Sequence, residues 1–545
     1  MNNKKLSIYE SVKSELYKTN NLGFLKNHQE LKQRLKEAIS TLDKEKFIRN
    51  FEEKITIEEK KRLGQFYTSN RIAEFIIDKM RLTENSLVLD PSCGTGAFLH
   101  SCFDYLTKIR NVEENRVLSN IHGIELNEKS LEIAKVSLFT KSSFSQKTLQ
   151  ILNNNLISAD SIKTTKEQIF DYFPVVKEKN GFDAIVGNPP YLTLTIGKEL
   201  RMDQVFSQIL CGQINATTLM IGRAYELLKE GGKLGFLLPK TLLRVNSYRN
   251  LREFLLSNFR LDYLIDVGQE FRKVRGEQVI LIATKGMQSK NQNVTVGNFT
   301  IKNNIPETRE ISLNYITKFN NFVVFNKKSL YNLATKIVGK HKNLDHCCNG
   351  KIFRGISIGA NSKFVSQIKK KNFLKALRGD SIKKFGYEYF IFLQNRPYPK
   401  IDSVKMRKIV LQNIFSSESG IIANYDDKGL ITLDTVTNVI PQIENPYYVL
   451  GIMNSQLARF FMVFVIYNQS RLTMHADRNY IGRLPIPSTN NKIKNSIIKE
   501  VKNRIENRGS DDILNSLVYD AFNLTSNERE VVRSQLESFA KTRGW

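Results

Sequence analysis

The chain has 545 residues, 41% of them hydrophobic and 10% aromatic, which supplies apolar material for packed cores and excludes a wholly disordered chain. Its 12 prolines and 29 glycines exclude collagen-like and proline-rich classes, and five irregularly spaced cysteines exclude a disulfide scaffold. Lys and Arg number 82 against 54 Asp and Glu, a net charge of +28 that points to a polyanionic partner, nucleic acid above all. The longest strongly apolar run, Phe460–Tyr467, is eight residues long, far short of the roughly 20 that span a bilayer. Nor does an apolar stretch follow Met1–Lys5. No membrane segment and no signal peptide are therefore expected, and the expected compartment is the cytoplasm.

In chain order, residues 1–60 read as a polar, Lys/Glu-rich helical lead-in, with Leu31, Leu35 and Ile39 on one helical face. Residues 61–285 read as an α/β domain. Short apolar runs at Leu87–Asp90, Ile121–Glu125, Phe182–Gly187, Lys233–Pro239, Leu261–Val267 and Gln278–Thr284 alternate with amphipathic segments. Their Val/Ile/Leu content without strict alternation is the pattern of strands buried on both faces, in an open, mostly parallel sheet. Residues 286–345 are Asn/Lys-rich and read as a connecting region, with strand-like pieces such as Asn321–Phe325. Residues 346–490 change texture to short strands, turns and aromatics among basic residues. Within them, 361–410 hold 13 Lys/Arg against 3 Asp/Glu. Residues 491–545 read as a basic helical tail.

The segment Leu87–Leu99 reads as a buried strand, a glycine turn and a helix start. Gly94 and Gly96 permit the tight turn and close approach of a ligand to the backbone. It lacks the third glycine of a dinucleotide fingerprint and the Gly-Lys-Ser/Thr of a P-loop. Asp90 at the strand end opposes a phosphate and suits an amine. S-adenosylmethionine, whose methionyl part carries an ammonium and a carboxylate, fits this pattern. The next strand ends in Glu125, placed as ribose-binding acids are in doubly wound sheets. A third acid, Asp160, follows the strand near residue 157 and is positioned for the adenine amino group.

The segment Phe182–Tyr191 places Asn188-Pro189-Pro190-Tyr191 directly after a buried strand. Two prolines stiffen the loop and remove two N–H donors. What remains is acceptor-rich: the Asn188 side-chain oxygen and the Pro189 carbonyl can hold an amino group, and Tyr191 can stack on a planar base. The sulfonium leaving group is already activated, so in-line positioning is the main demand on the protein.

The order of these segments resembles the gamma-class N6-adenine DNA methyltransferases, the TaqI-like group. Leu63–Ser69 resembles the family's motif X, with Thr68 at the methionine end of the cofactor. Asp90–Gly96 is similar to motif I, Glu125 and Asp160 to the acids of motifs II and III, and Asn188–Tyr191 to motif IV. The resemblance implies a Rossmann-like methyltransferase sheet followed by a mixed α/β target-recognition domain. It assigns Thr68, Asp90, Gly94, Gly96, Glu125 and Asp160 to the cofactor, and Asn188, Pro189, Pro190 and Tyr191 to catalysis. A second aromatic that sandwiches a flipped adenine corresponds to Phe271. One departure is Asn215-Ala216-Thr217 with Met220, where the family often carries Asp-x-Tyr and an adenine-packing aromatic. Gly350–Asn361, Tyr447–Leu457 and Arg483–Pro487 resemble the opening and closing segments of a TaqI-like specificity domain. The implied partners are duplex DNA and a cognate restriction endonuclease of the same system.

His341, His346, Cys347 and Cys348 do not have the spacing of a zinc site, and no metal is expected. Three other readings stand beside the main one: methylation of RNA or of protein glutamine, a modification subunit whose specificity comes from a partner, and an inactive DNA-binding module with this fold.

Overall fold

The computed structural model describes residues 68–541, apart from 143–144, 269–275, 288, 290–291, 301–302, 320, 326, 340 and 359–361. The helical lead-in at 1–60, Leu63–Tyr67 and Phe271 lie outside the described residues.

The buried apolar runs become strands of one nine-stranded sheet: β1 (Val88–Asp90), β2 (Ile121–Glu125), β3 (Leu156–Ser158), β4 (Phe182–Gly187), β5 (Leu228–Pro239), β6 (Phe259–Gly268), β7 (Gln278–Lys285), β8 (Asn293–Thr300) and β9 (Asn303–Ser312). Their spatial order is β3-β2-β1-β4-β5-β7-β6-β8-β9. Strands β3, β2, β1, β4 and β5 pair in parallel, and β7 runs antiparallel to both β5 and β6. Chain order reverses between β1 and β4, so the loops that leave their carboxyl ends face one crevice, where ligands of open α/β sheets bind.

Helices cover both faces because the sheet has two apolar sides. The helix Asn70–Met80 buries Ile72, Ala73, Ile76, Ile77 and Met80, the spacing of a single helical stripe. It approaches β5 so closely at Gly235 that an added Cβ would stand 1.8 Å from Met80 Cε and 2.8 Å from Ile76 Cγ2. The sheet continues past residue 285 into the stretch read as connecting. There Val294 and Val296 are buried, and β8 and β9 extend the sheet edge as an antiparallel pair.

The C-terminal half holds two small four-stranded sheets, ordered Ile352–Arg354, Val436–Val439, Lys408–Gln412, Ala423–Asp426 and Val365–Ser366, Ile391–Gln394, Phe373–Leu377, Ile431–Thr432. Lys408 is fully buried there, and its ammonium stands 2.7 Å from the Asp426 carboxylate and donates to the Leu430 carbonyl at 2.9 Å. The tail forms three helices, Asn491–Ile505, Asp511–Ala521 and Ser526–Lys541. The first packs on the helix Pro446–Asn454, where a Cβ at Gly451 would stand 2.8 Å from Ile497. Among the described residues no single helix is long and apolar enough to cross a membrane.

One apolar core joins the halves, running from β4, β5 and β7 through Phe322–Phe325 to Phe460–Tyr467 and the tail helices. The piece Asn321–Phe325, which reads as strand-like in the sequence, is a buried extended segment outside any strand. Its Phe322 and Val323 N–H groups donate to the Leu243 and Ile316 carbonyls, both at 2.9 Å, and side chains satisfy much of the rest. Asn468 Oδ1 accepts from the Val324 N–H at 3.0 Å, Asn468 Nδ2 donates to the Phe322 carbonyl at 2.8 Å, and Gln469 Nε2 donates to the Val324 carbonyl at 2.9 Å.

Candidate active site

The crevice begins at Asp90, the last residue of β1, which is 1% exposed. Its Oδ1 accepts the Ser92 N–H at 3.0 Å. Burial pushes its carboxyl up to about 8; the Ser92 bond opposes that rise and the nearby Glu125 charge adds to it. The chain then turns through Gly94 (φ 54°) and Gly96 (φ 94°) into the helix Ala97–Asp104. Both glycines occupy the left-handed region that side chains disfavour. A Cβ on Gly94 would meet nothing within 4 Å, so the turn borders open space.

Glu125, at the end of β2, buttresses this turn. One carboxylate oxygen accepts the Gly94 N–H at 2.9 Å and the other the Asn127 N–H at 2.8 Å. Asp160, two residues past β3, accepts the Ile162 N–H at 3.1 Å, stands 3.4 Å from the Lys163 ammonium and remains part-exposed. Thr68 is half-buried just ahead of the helix Asn70–Met80, which packs on β4, β5 and β7.

Strand β4 delivers the second loop beside the first. Val88 and Leu89 register with Ala184 and Ile185, so the two strand ends are neighbours. Ser92 Oγ donates to the Asn188 carbonyl at 3.4 Å, and a Cβ on Gly187 would stand 2.8 Å from Asp90 Oδ1. Glycine is the residue that lets the two loops come this close. Tyr191 donates its hydroxyl to the Leu237 carbonyl of β5 at 3.1 Å, and burial holds its phenol well above the ordinary range, so it stays a donor.

Two supports lie outside the sequence reading. Thr217, from the segment that departs from the family pattern, donates its hydroxyl to the Pro190 carbonyl at 3.2 Å, and Thr193 bridges Asn215. Asn215-Ala216-Thr217 therefore braces the Pro-Pro loop. The second support is a buried ionic cluster at the ends of β5 and β6, where the Lys240 ammonium stands 2.6 Å from Asp266. Burial pulls Lys240 down, but the facing Asp266 and Glu277 carboxylates outweigh it and hold the ammonium above its usual range. Asp266 also accepts the Gly268 N–H at 2.9 Å and so shapes the strand end that precedes Phe271. The only sequence signal for this cluster was charge at apolar strand ends.

The structure thus brings Asp90, Gly94, Gly96, Glu125, Asn188, Pro189, Pro190 and Tyr191 to one crevice, with Asp160 on its β3 side. Residues 119–272 match the Eco57I restriction-modification methylase family, and residues 349–486 match the TaqI-like C-terminal specificity domain. The chain joins a restriction-modification methylase domain to a TaqI-like specificity domain. The chain is 26% identical over 227 residues to the type II restriction enzyme and methyltransferase RM.Eco57I of Escherichia coli, covering 34% of this chain and 23% of that enzyme. The type II methyltransferase M.BsuBI of Bacillus subtilis is 21% identical over 393 residues, 69% of this chain and 72% of its own. The fold is shared with the type IIL restriction-modification enzyme MmeI, solved in complex with DNA. The TM-score is 0.57 at 14% identity, over 87% of this chain and 75% of that one.

Proposed function

We propose that this chain transfers a methyl group from S-adenosylmethionine to the N6 amino group of adenine at a specific site in duplex DNA. Its setting is a cytoplasmic restriction-modification system with a cognate endonuclease. The observation that carries the reading is the meeting of the β1 and β4 loops: the Asp90–Gly96 turn and Asn188–Tyr191 share one crevice, linked by Ser92 and the bare Cα of Gly187.

The donor set fits the cofactor. Asp90 offers a carboxylate for the ammonium, Glu125 places a carboxylate at the end of β2 for the ribose hydroxyls, Asp160 is part-exposed at the β3 end for the adenine amine, and Gly94 borders open space for the methionyl part. Thr68 completes the methionine end. When bound, S-adenosylmethionine supplies an electrophilic methyl group on a positively charged sulfur.

An adenine inside a duplex cannot reach this crevice, so the base is extruded at a cost of a few kcal/mol. The Asn188 side-chain oxygen and the Pro189 carbonyl accept from its amine and turn the nitrogen lone pair toward the methyl carbon. Tyr191, fixed by its bond to Leu237, stacks on the base, with Phe271 as the second aromatic. Stacking of this kind is worth about 1–3 kcal/mol per base. Pro190 keeps the loop rigid, and Thr217 holds its carbonyl. We assign methyl transfer to residues 61–285 together with the β8–β9 pair that extends their sheet, and target recognition to 346–490. In the specificity domain, basic residues anchor phosphates while polar neighbours read base edges. That domain lies in the same chain, which supports specificity without a separate subunit.

The test incubates the purified full chain with duplex DNA, RNA or protein and methyl-labelled S-adenosylmethionine, then sequences the modified bases. N6-methyladenine at one recurring duplex sequence is expected. Label confined to RNA or protein, or cofactor binding with no turnover on any substrate, would overturn the assignment.

A further inference from the structure

Away from the crevice, Arg244, Arg249, Arg252 and Arg483 converge on a cavity of about 340 Å³ at the junction of the two halves. Three of them come from the turn and helix that follow β5. Arg483 comes from the specificity domain. Neutral acceptors fix two of the guanidinium groups: Arg252 donates to the Leu242 and Val245 carbonyls, both at 2.9 Å, and Arg483 donates to Asn321 Oδ1 at 2.9 Å and to the Phe319 carbonyl. The Arg244 guanidinium lies 4.6 Å over the Tyr467 ring. Glu253, the one carboxylate among the described lining residues, is taken by Arg249 at 2.9 Å. Among the described residues, Arg244, Arg252 and Arg483 have no carboxylate at ion-pair distance. Their charge is held in place, and Glu253 offsets it in part at Arg252 from beyond ion-pair distance.

We propose that this cavity is a phosphate-binding site, taking a phosphate group either from the DNA backbone or from a free phosphorylated small molecule. Planar guanidinium forks match the oxygens of phosphate, and several of them around one centre suit a dianion better than a single carboxylate. The volume is that of a small-ligand pocket. Burial lowers Arg252 and Arg483 to about 10, and Arg252 adds a repulsive contribution at Arg483; a bound anion relieves both. Because the arginines come from both halves, a bound phosphate also ties the methylase half to the specificity half, so binding stabilises the fold. This site does not depend on the methyl-transfer reading.

The experiment measures the thermal midpoint of the full chain in inorganic phosphate against chloride at matched ionic strength. Phosphate is expected to raise the midpoint by several degrees more than chloride does. Arg249 is exposed, so Arg249→Gln should fold and should raise the phosphate concentration needed about ten-fold, as loss of a charge-assisted hydrogen bond does. Asn479, exposed on the rim, gives the opposite signature. Asn479→Asp should raise the midpoint in chloride and remove the phosphate increment. Equal wild-type midpoints in phosphate and chloride would overturn the proposal, as would a phosphate increment that both variants retain in full. Titration with duplex DNA separates the two sources. If the phosphate belongs to DNA, Arg249→Gln lowers the salt slope of binding by about one and bound DNA abolishes the phosphate increment. If it belongs to a small molecule, the slope is unchanged and the increment persists on DNA.

Discussion

Asp90 is the residue whose chemistry the fold perturbs in the most testable way. Its folded-state value of about 8 lies roughly four units above the ordinary 3.8, mainly through burial. The sign follows from linkage: between these values the folded chain binds the proton and the unfolded chain does not. The contribution of Asp90 to stability is therefore complete below about pH 4 and is lost as pH rises through about 8, a change of about 5 kcal/mol across the window. Asp90→Asn cannot ionise, so the variant should gain on wild type steadily over that range when unfolding by urea is followed at pH 4, 6 and 8 without cofactor. The cofactor reverses the preference. An ammonium against Asp90 needs the carboxylate, so at pH 7 the wild type should release about 0.9 proton on binding S-adenosylmethionine. Calorimetry in two buffers of different ionisation enthalpy reads this number directly. Asp90→Asn should release none from this position and bind about ten- to hundred-fold more weakly. Wild-type binding without proton release, or an Asp90→Asn variant whose stability tracks wild type from pH 4 to 8, would refute both the burial argument and the ammonium assignment.

Asn188→Ala should abolish turnover while leaving cofactor affinity within a few-fold, and a near wild-type single-turnover rate would remove Asn188 from the chemistry. Gly235→Ala forces a methyl group against Met80 and Ile76 and should cost about 1–3 kcal/mol in denaturant unfolding. Lys408→Met leaves the Asp426 carboxylate buried without its partner, so a loss of about 3–5 kcal/mol is expected, and an unchanged urea midpoint would contradict it. DNA binding by the full chain should weaken steeply as salt is raised from 50 to 200 mM, as counterion release requires.

The strands that form the crevice were legible because their burial is two-sided. Ile121–Glu125 and Phe182–Gly187 are strands over the residues their apolar content marks, and the acids and the Asn-Pro-Pro-Tyr loop that leave them fall where a parallel sheet must put them. β8 and β9 were not legible. They lie at the sheet edge, where polar residues such as Asn293, Thr295, Asn298 and Glu310 are tolerated and often selected, and scattered apolar residues such as Val294, Val296, Phe299 and Ile311 mark the buried sides. Asn321–Phe325 misled for the opposite reason: it is as apolar as a strand, yet its backbone partners are scattered, from the Leu243 and Ile316 carbonyls to the Asn468 and Gln469 side chains about 145 residues away. The braces of the site share that difficulty. Thr217 reaches Pro190 across 27 residues and Lys240 reaches Asp266 across 26, and no local spacing announces either contact.

Those long-range contacts also decide how the halves work together. Asn468 and Gln469, both at positive φ, clamp residues 322–324. Two residues on, the Arg471 N–H is accepted by Glu277 at 2.7 Å. Glu277 faces Lys240, which pairs with Asp266 at the strand end before Phe271. Lys240 in turn sits three residues past Leu237, whose carbonyl holds Tyr191. Hydrogen bonds and ion pairs joined by short stretches of chain therefore run from the specificity half to Tyr191, backed by a shared apolar core. Packed interiors resist continuous deformation. With little slack between the two halves, the placement of the specificity domain relative to the Asn188–Tyr191 loop is set when the protein folds. That arrangement suits a reaction in which positioning is the protein's main contribution.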